Sequence, residues 1–235
     1  MSHFKLPLRY EFQQDGIIHQ IDYRISQNSK LGLYEKIVST YHFSVEQLSD
    51  FSKDSLNCLG CPFSYSNKFS PLSGKCYTHK GMQRMGLNSK MRSLQERDKI
   101  ECFSEEKFEK FLGKIKTMPP KLVRFGAYGE PVLLPQLVRD EMWGIVDNKK
   151  VKGTGYTHAW RTHDDTRFMA SVHTFGEQLD AMARGYRTYM VTNEPTEDDI
   201  ICPASKEAGK KVSCADCGLC CGDLLKAKNI YIPQH

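Results

Sequence analysis

The 235-residue chain has no stretch of 18 consecutive apolar residues, so no segment reads as a membrane-spanning helix. No apolar core follows Met1 either. The opening Met-Ser-His-Phe-Lys-Leu-Pro is too polar for a secretory signal, and the expectation is a soluble cytoplasmic protein with no membrane partner. Charge of one sign does not dominate: 33 Lys and Arg against 28 Asp and Glu leave a formal +5. The basic residues are scattered apart from Lys149-Lys150 and Lys210-Lys211, the pattern of a solvated surface rather than a polyanion track. Gly153-x-Gly155 lacks the rest of a dinucleotide fingerprint, and Asp164-Asp165 lacks an identifiable partner base. With 40% hydrophobic and 26% charged residues, the chain can bury the core of one domain, or of one domain with a cysteine-rich tail.

What the chain does have is nine cysteines, an odd number grouped in short repeats. Disulfide frameworks belong to small secreted domains, so a cytoplasmic chain with CxxC spacing favours metal. Near the C-terminus, Cys202-Pro203 precedes Cys214-x-x-Cys217-x-x-Cys220. Two-residue gaps let successive thiolates converge on one cubic 4Fe-4S cluster from a single loop, and the distant Cys-Pro supplies the fourth corner. Zinc is the alternative metal, although a zinc ribbon normally uses two separated CxxC knuckles rather than an evenly spaced triple. Cys221 reads as a spare neighbour. A second group, Cys58-x-x-Cys61 with Cys76, points to another centre. Seven bound thiolates and two oxidised cubic clusters would bring the net charge down to about +2.

The remainder divides into three parts: a β-rich N-terminal extension and first strand (1–45), a β/α region (46–192) and the cysteine-rich, cluster-binding segment (193–235). Asp15-Gly16 between Leu8–Phe12 and Ile17–Tyr23 predicts a hairpin, and Tyr34–Phe43 reads as a further strand. Met82, Met85, Met91 and Leu94 recur at helical spacing within 81–99, as core packing. Ser104 caps a helix whose apolar face is Phe108, Phe111, Leu112 and Ile115, with Phe103 as a hydrophobic staple. A strand over 122–126, a helix from Pro135 to about Val146, a strand ending near Tyr156-Thr157-His158 and a strand over 169–173 follow. Thr174-Phe175-Gly176-Glu177 opens a helix that Gly185 closes, before a last strand over 187–192; residues 193–213 read as a connector. Such alternation predicts an α/β fold, a partial or complete parallel β/α barrel with functional groups at the C-terminal strand ends.

Directly after the strand at Leu122, Phe125-Gly126-Ala127-Tyr128-Gly129-Glu130-Pro131 resembles the Gly-Glu-Pro segment of radical S-adenosylmethionine (radical SAM) enzymes, which use a β/α barrel. The resemblance implies that Cys58, Cys61 and Cys76 hold a 4Fe-4S cluster with one iron left for S-adenosylmethionine. It also implies that Gly129 and Glu130 contact the cosubstrate's amino group, with Tyr77 as an aromatic beside the third thiol. The departure lies in spacing. The common loop is C-x3-C-x2-C, whereas here 14 residues, Pro62 to Lys75, separate the last two thiols. An excursion of that length can return at modest loop-closure cost, and Pro71-x-x-Gly74 favours a turn within it. Cys102 is an alternative fourth thiolate that would leave no open iron.

The order Cys-x-x-Cys-Pro, Gly-Lys-Cys-Tyr, the Gly-Glu-Pro segment, Gly-Tyr-Thr-His-x-Trp, Met-Ala-Ser-Val and the cysteine tail is similar to a cysteine-rich family carried by phages and plasmids, over about residues 50 to 222. That resemblance implies a phage-borne protein acting in a bacterial cytoplasm, and it identifies no reaction. Two functions are therefore carried forward. One is reductive cleavage of S-adenosylmethionine to modify an unknown substrate, with Cys202, Cys214, Cys217 and Cys220 holding an accessory cluster. The other is a non-catalytic iron-sulfur or zinc protein whose metal sites stabilise a surface for a host protein or nucleic acid. His158 and His173 read as structural histidines or proton carriers, and Tyr77-Thr78-His79 and Tyr156-Thr157-His158 share a tripeptide at strand ends. Arg124, alternating with apolar neighbours, projects from its strand toward a carboxylate, a phosphate or a buried ion-pair partner.

Overall fold

Asp15 and Gly16 adopt left-handed backbone, with φ of 51° and 75°, the two-residue turn whose twist matches the strands it joins. They connect β1 (Leu8–Gln14) to β2 (Ile17–Ile25) as the expected antiparallel hairpin, Gln14 opposite Ile17. The computed structural model describes residues 6–79, 81–148, 151–224 and 227–233. β3 (Lys36–Ser44) pairs antiparallel with β2, and from there the sheet grows in parallel through β4 (Leu122–Tyr128) and β5 (Lys152–Thr154). A second five-stranded sheet is parallel throughout. Its order is β6 (Tyr156–Thr157), β7 (Met169–Val172), β8 (Thr188–Val191), β10 (Asn229–Ile232), β9 (Asp199–Ile201).

The chain is thus a mixed α/β protein with one mixed sheet and one parallel sheet. Gly155 alone lies between β5 and β6, and a Cβ there would fall 2.6 Å from the Phe168 ring. The absent side chain lets one segment end the first sheet and begin the second. Six α-helices occur among the described residues: α1 (Ser55–Cys58), α2 (Gly81–Gln95), α3 (Glu105–Thr117), α4 (Gln136–Asn148), α5 (Phe175–Ala183) and α6 (Cys214–Cys217).

Ser104 and Thr174 cap α3 and α5 as the sequence predicts, each accepting from the backbone N–H three residues on. The α3 face of Phe108, Phe111, Leu112 and Ile115 is buried together with Val38, Val123 and Phe125, and Trp143 of α4 stacks on Phe125 at 4.3 Å. On the other face of β3, Tyr41 and Phe43 meet α2. The methionine row is only partly core: Leu87, Met91 and Leu94 are buried, Met85 is 64% exposed, and the Met82 side chain lies outside the described residues. The connector expected at 193–213 contains β9, fixed where Asp199 accepts from the Thr196 N–H and hydroxyl and from Gln178.

Between β2 and β3, His19 and His42 bring their Nδ1 atoms to 3.0 Å in the interior. Burial pushes His19 down to about 4, and burial plus its neighbour holds His42 well below the usual histidine range. Both rings are therefore neutral when folded, while an unfolded histidine titrates near ~6.5. Below that pH the unfolded chain binds more protons at these two positions, so the pair's contribution to stability is constant above it and falls as pH drops toward 4. The expected slope is up to about 1.4 kcal/mol per pH unit for each ring. Urea midpoints measured from pH 8 to 5 test this, and a flat profile would contradict it.

Candidate functional site

The end of β3 leads into the first cysteine loop, and buried Asp54 organises it. Its Oδ1 accepts from the Ser64 hydroxyl and the Ser66 N–H, and its Oδ2 from the Tyr65 N–H, each at 2.9 Å. Leu59 and Gly60, at φ of 37° and 78°, reverse the chain after α1, so that the Cys61 N–H reaches the Cys58 carbonyl at 2.8 Å. The 14-residue excursion turns again at Gly74, where a Cβ would lie 2.7 Å from the Tyr65 ring, and returns Cys76 with its Sγ 3.0 Å from the Thr78 hydroxyl. Cys58, Cys61 and Cys76 come within electrostatic reach of one another: burial, then Asp54, Cys61, Glu130 and Cys76, push the Cys58 thiol well up. Tyr77 opens the turn that follows, and its side chain lies outside the described residues.

Gly129-Glu130-Pro131 stands directly against this loop. Gly129, at φ 75°, passes so close to β3 and α1 that a Cβ would lie 2.7 Å from the His42 carbonyl oxygen and 3.0 Å from that of Asn57. The Glu130 N–H donates to that Asn57 carbonyl at 2.8 Å, one residue before Cys58. The Glu130 carboxylate is buried. It accepts from the Thr157 hydroxyl at 2.7 Å and the His158 N–H at 3.0 Å, and it faces His158 Nδ1 at 3.0 Å.

Because a carboxylate only accepts, Nδ1 carries a proton, and the opposite nitrogen, Nε2, points at Cys61 Sγ, 3.7 Å away. A neutral His158 ring presents a lone pair to the thiols; a protonated one donates to sulfur. Burial lowers the His158 pKa, but Cys61 and Glu130 outweigh it and hold it well above the ordinary histidine range. His173 stacks on His158 at 5.3 Å, and burial and that neighbour push its pKa down to about 4.

Cys102 has different surroundings. It is exposed, bridges to Gln13 and shares a surface hollow with Asp15, Lys99 and Phe103. Asp165 pairs with Arg139 at 2.8 Å, a structural ion pair rather than half of an acid couple.

The second cysteine group gathers from two segments. Cys202 follows β9, its N–H on the Tyr231 carbonyl at 2.8 Å. α6 is anchored to the N-terminal half, with the Cys214 N–H on the Lys30 carbonyl at 2.8 Å and the Ala215 N–H on that of Leu31 at 3.1 Å. Gly218, at φ 65°, ends α6 and turns the chain toward Cys220. Burial, reinforced by Cys202, Cys214 and Cys217, pushes the Cys220 thiol up to about 12 against the opposing Tyr156 hydrogen bond. Arg187 fixes this segment: its guanidinium donates to the carbonyls of Leu219 and Cys221 at 2.7 Å, of Ala227 at 3.1 Å and of Lys228. Cys221 is buried in a separate core with Phe168 and Trp143.

Asp54, Thr157 and Arg187 were not legible as site residues. Only Asp54, placed just before a serine-rich stretch, carries a local cue, that of a residue that caps turns.

Among the described residues, no three His, Cys, Asp or Glu side chains are arranged to hold a single metal ion. A tetrahedral zinc site needs sulfurs about 3.8 Å apart, whereas a cube held at its corners spreads its ligands more widely. The donor sets suit a thiophilic group by type, soft sulfur donors buried or half-buried in each group, and binding there would displace their protons. No helix among the described residues is long and apolar enough to cross a membrane. Comparison with family models, curated proteins and solved structures finds no match.

Proposed function

We propose that this chain is a two-centre iron-sulfur protein on a partial β/α barrel, phage-borne and acting in a bacterial cytoplasm, that cleaves S-adenosylmethionine reductively. The observation that carries the reading is the meeting of Cys58, Cys61 and Cys76, beyond the end of β3, with Gly129-Glu130-Pro131 at the end of the neighbouring parallel strand β4. Three thiolates leave one iron of a 4Fe-4S cluster open. A 4Fe-4S cluster held there and reduced by an external low-potential donor would supply one electron to the sulfonium, releasing methionine and a 5′-deoxyadenosyl radical that takes a hydrogen atom from the substrate. Around it, Asp54 holds the loop, the Glu130 backbone ties that loop to β4, and the Glu130 carboxylate orients His158. Cys202, Cys214, Cys217 and Cys220 fill all four positions of an accessory cluster.

One observation favours a second reading. The Glu130–His158–Cys61 chain has the form of a carboxylate-oriented metal ligand, and with Nε2 as fourth donor the first centre would be closed. The protein would then be a non-catalytic metal protein presenting a surface to a host protein or nucleic acid.

Anaerobic purification, iron, sulfide and zinc analysis, and reduction with S-adenosylmethionine separate the two. About eight irons and 5′-deoxyadenosine formation that is lost in Cys76→Ala support cleavage. The same iron without that product supports the closed centre. One zinc per thiol group and no sulfide would sink both cluster assignments.

A further inference from the structure

Counted alone, the basic residues are scattered; counted against the acids, one segment stands apart. Residues 51–95 hold seven Lys and Arg and a single acid, Asp54, whereas the rest of the chain carries 26 against 27. The positive excess of the chain therefore lies in the segment that contains Cys58, Cys61 and Cys76. Asp54 is fully buried, its oxygens taken by Ser64, Tyr65 and Ser66. Of the cations, Lys90 is held by Asp22, Lys53 stands beside Asp50 at the segment's border, and Lys80 lies outside the described residues. Lys68, Lys75, Arg84 and Arg92 are exposed. Each of these is solvated and costs nothing by itself. Together, with no surface carboxylate of their own segment among them, they give one face a field of one sign, which concentrates and orients a polyanion.

Lys68 and Lys75 stand on the excursion between Cys61 and Cys76. That loop is tied down where the Ser66 hydroxyl donates to the Ser52 carbonyl at 2.9 Å and the Ser73 hydroxyl to that of Ser64 at 3.0 Å. Its Tyr65 stacks at 4.7 Å on His79, just before α2, and Arg84 lies within electrostatic reach of the same His79. From Arg84, Asn88 and Arg92 follow at four-residue spacing along the exposed side of α2, a row roughly 12 Å long. No Asp or Glu occurs in α2.

Phe69 is a second, independent observation. It is 100% exposed beside Lys68, at the outer part of the tied-down loop. A bare aromatic ring next to a cation is the platform on which an unpaired base stacks while the cation meets the backbone phosphate. A duplex would be held by its phosphates and leave the ring unused. An anionic membrane calls for a broad apolar helix face, and among the described side chains of α2 only Met85 is both large, apolar and exposed.

We infer that the face formed by the 62–75 excursion and the outer side of α2 binds a single-stranded nucleic acid, and that this strand is the substrate presented to the Cys58–Cys61–Cys76 centre. Lys68, Lys75, Arg84 and Arg92 meet phosphates, and Phe69 stacks on a base. The binding claim stands alone, whereas the role as substrate rests on the cleavage reading.

The test is fluorescence anisotropy of the full chain with labelled DNA and RNA strands of about 16 nucleotides, the matching duplex, poly-glutamate and phosphatidylglycerol vesicles. Salt is varied from about 50 to 200 mM, without S-adenosylmethionine or reductant. Single strands are expected to bind saturably and more tightly than the other three. Phe69→Ala, at a fully exposed position and checked for folding by circular dichroism, should weaken them by about fivefold or more and leave the salt dependence unchanged. Lys68→Gln and Lys75→Gln should each reduce the slope of log affinity against log salt by about 0.7. No strand binding, equal or tighter binding of duplex, poly-glutamate or vesicles, or unchanged affinity in a folded Phe69→Ala protein overturns the inference, as does an unchanged slope in both lysine variants. The two readings fail separately. Wild-type protein that cleaves S-adenosylmethionine but binds no strand removes only the face assignment, and Phe69-dependent binding without any cleavage removes only the radical chemistry.

Discussion

Gly129→Ala is expected to cost about 2 to 5 kcal/mol of stability and to loosen the loop that carries Cys58. Two effects add. At φ 75° an alanine is strained in itself, and its Cβ would lie 2.7 Å from the His42 carbonyl oxygen and 2.8 Å from the His42 Cβ. Both neighbours belong to the central strand β3 and cannot yield cheaply. The third, the Asn57 carbonyl oxygen at 3.0 Å, can yield, but it accepts the Glu130 N–H, so moving it parts β4 from the cysteine loop. Gly60→Ala is the control. Its φ is 78° with nothing within 4 Å of the added Cβ, so it carries the conformational strain alone. Urea denaturation at pH 7 should show the larger loss at Gly129; equal losses at the two positions would mean that the crowding does not matter.

Arg187→Met should undock the C-terminal cysteine segment. Removing the guanidinium leaves the carbonyls of Leu219, Cys221, Ala227 and Lys228 without the donor they share, and the bond to Cys221 is fully buried. Each buried orphan costs about 1 to 3 kcal/mol, so the segment is expected to open locally rather than bear the cost. The first readout is new proteolytic cleavage after about residue 200; on the two-cluster reading proposed above, the second is loss of roughly half the iron, with the rest retained at Cys58, Cys61 and Cys76. Arg187→Lys should not rescue it, because an ammonium has three donors and no planar fork to span carbonyls on different turns. A variant as resistant to protease as the parent would show that the tail is held by other contacts.

Local chemistry was the legible part of this chain. The Asp15-Gly16 turn, the Ser104 and Thr174 caps and the α3 face are all set by residues within a few positions of one another, and each lies where spacing predicts. The cysteine spacings marked two groups whose thiols influence one another electrostatically, while the metal they would hold is a proposal. What spacing could not carry is the meeting of distant groups. Glu130 and His158 stand 28 residues apart, and nothing in either neighbourhood names the other. Glu130 looked like a cosubstrate contact, yet its carboxylate is taken up by Thr157 and His158. Arg187 is harder still to foresee, since its partners are main-chain carbonyls, which every residue has. Met85 shows the converse limit: helical periodicity placed it in a row, but α2 packs through Leu87, Met91 and Leu94 and leaves Met85 exposed.

The order of strands in the second sheet has a consequence for synthesis. β10 follows every other described element along the chain, yet it lies between β8 and β9 and is hydrogen-bonded to both. Until residues 229–232 have been made, β9 has no neighbour in the sheet, and the Cys202 N–H lacks the Tyr231 carbonyl that positions it. Cys58, Cys61, Cys76, Glu130 and His158 all lie within the first 160 residues and can be brought together while the tail is still being translated. The two cysteine groups are therefore completed in sequence, and the one nearer the C-terminus closes only when β10 pairs with β8 and brings β9 into the sheet.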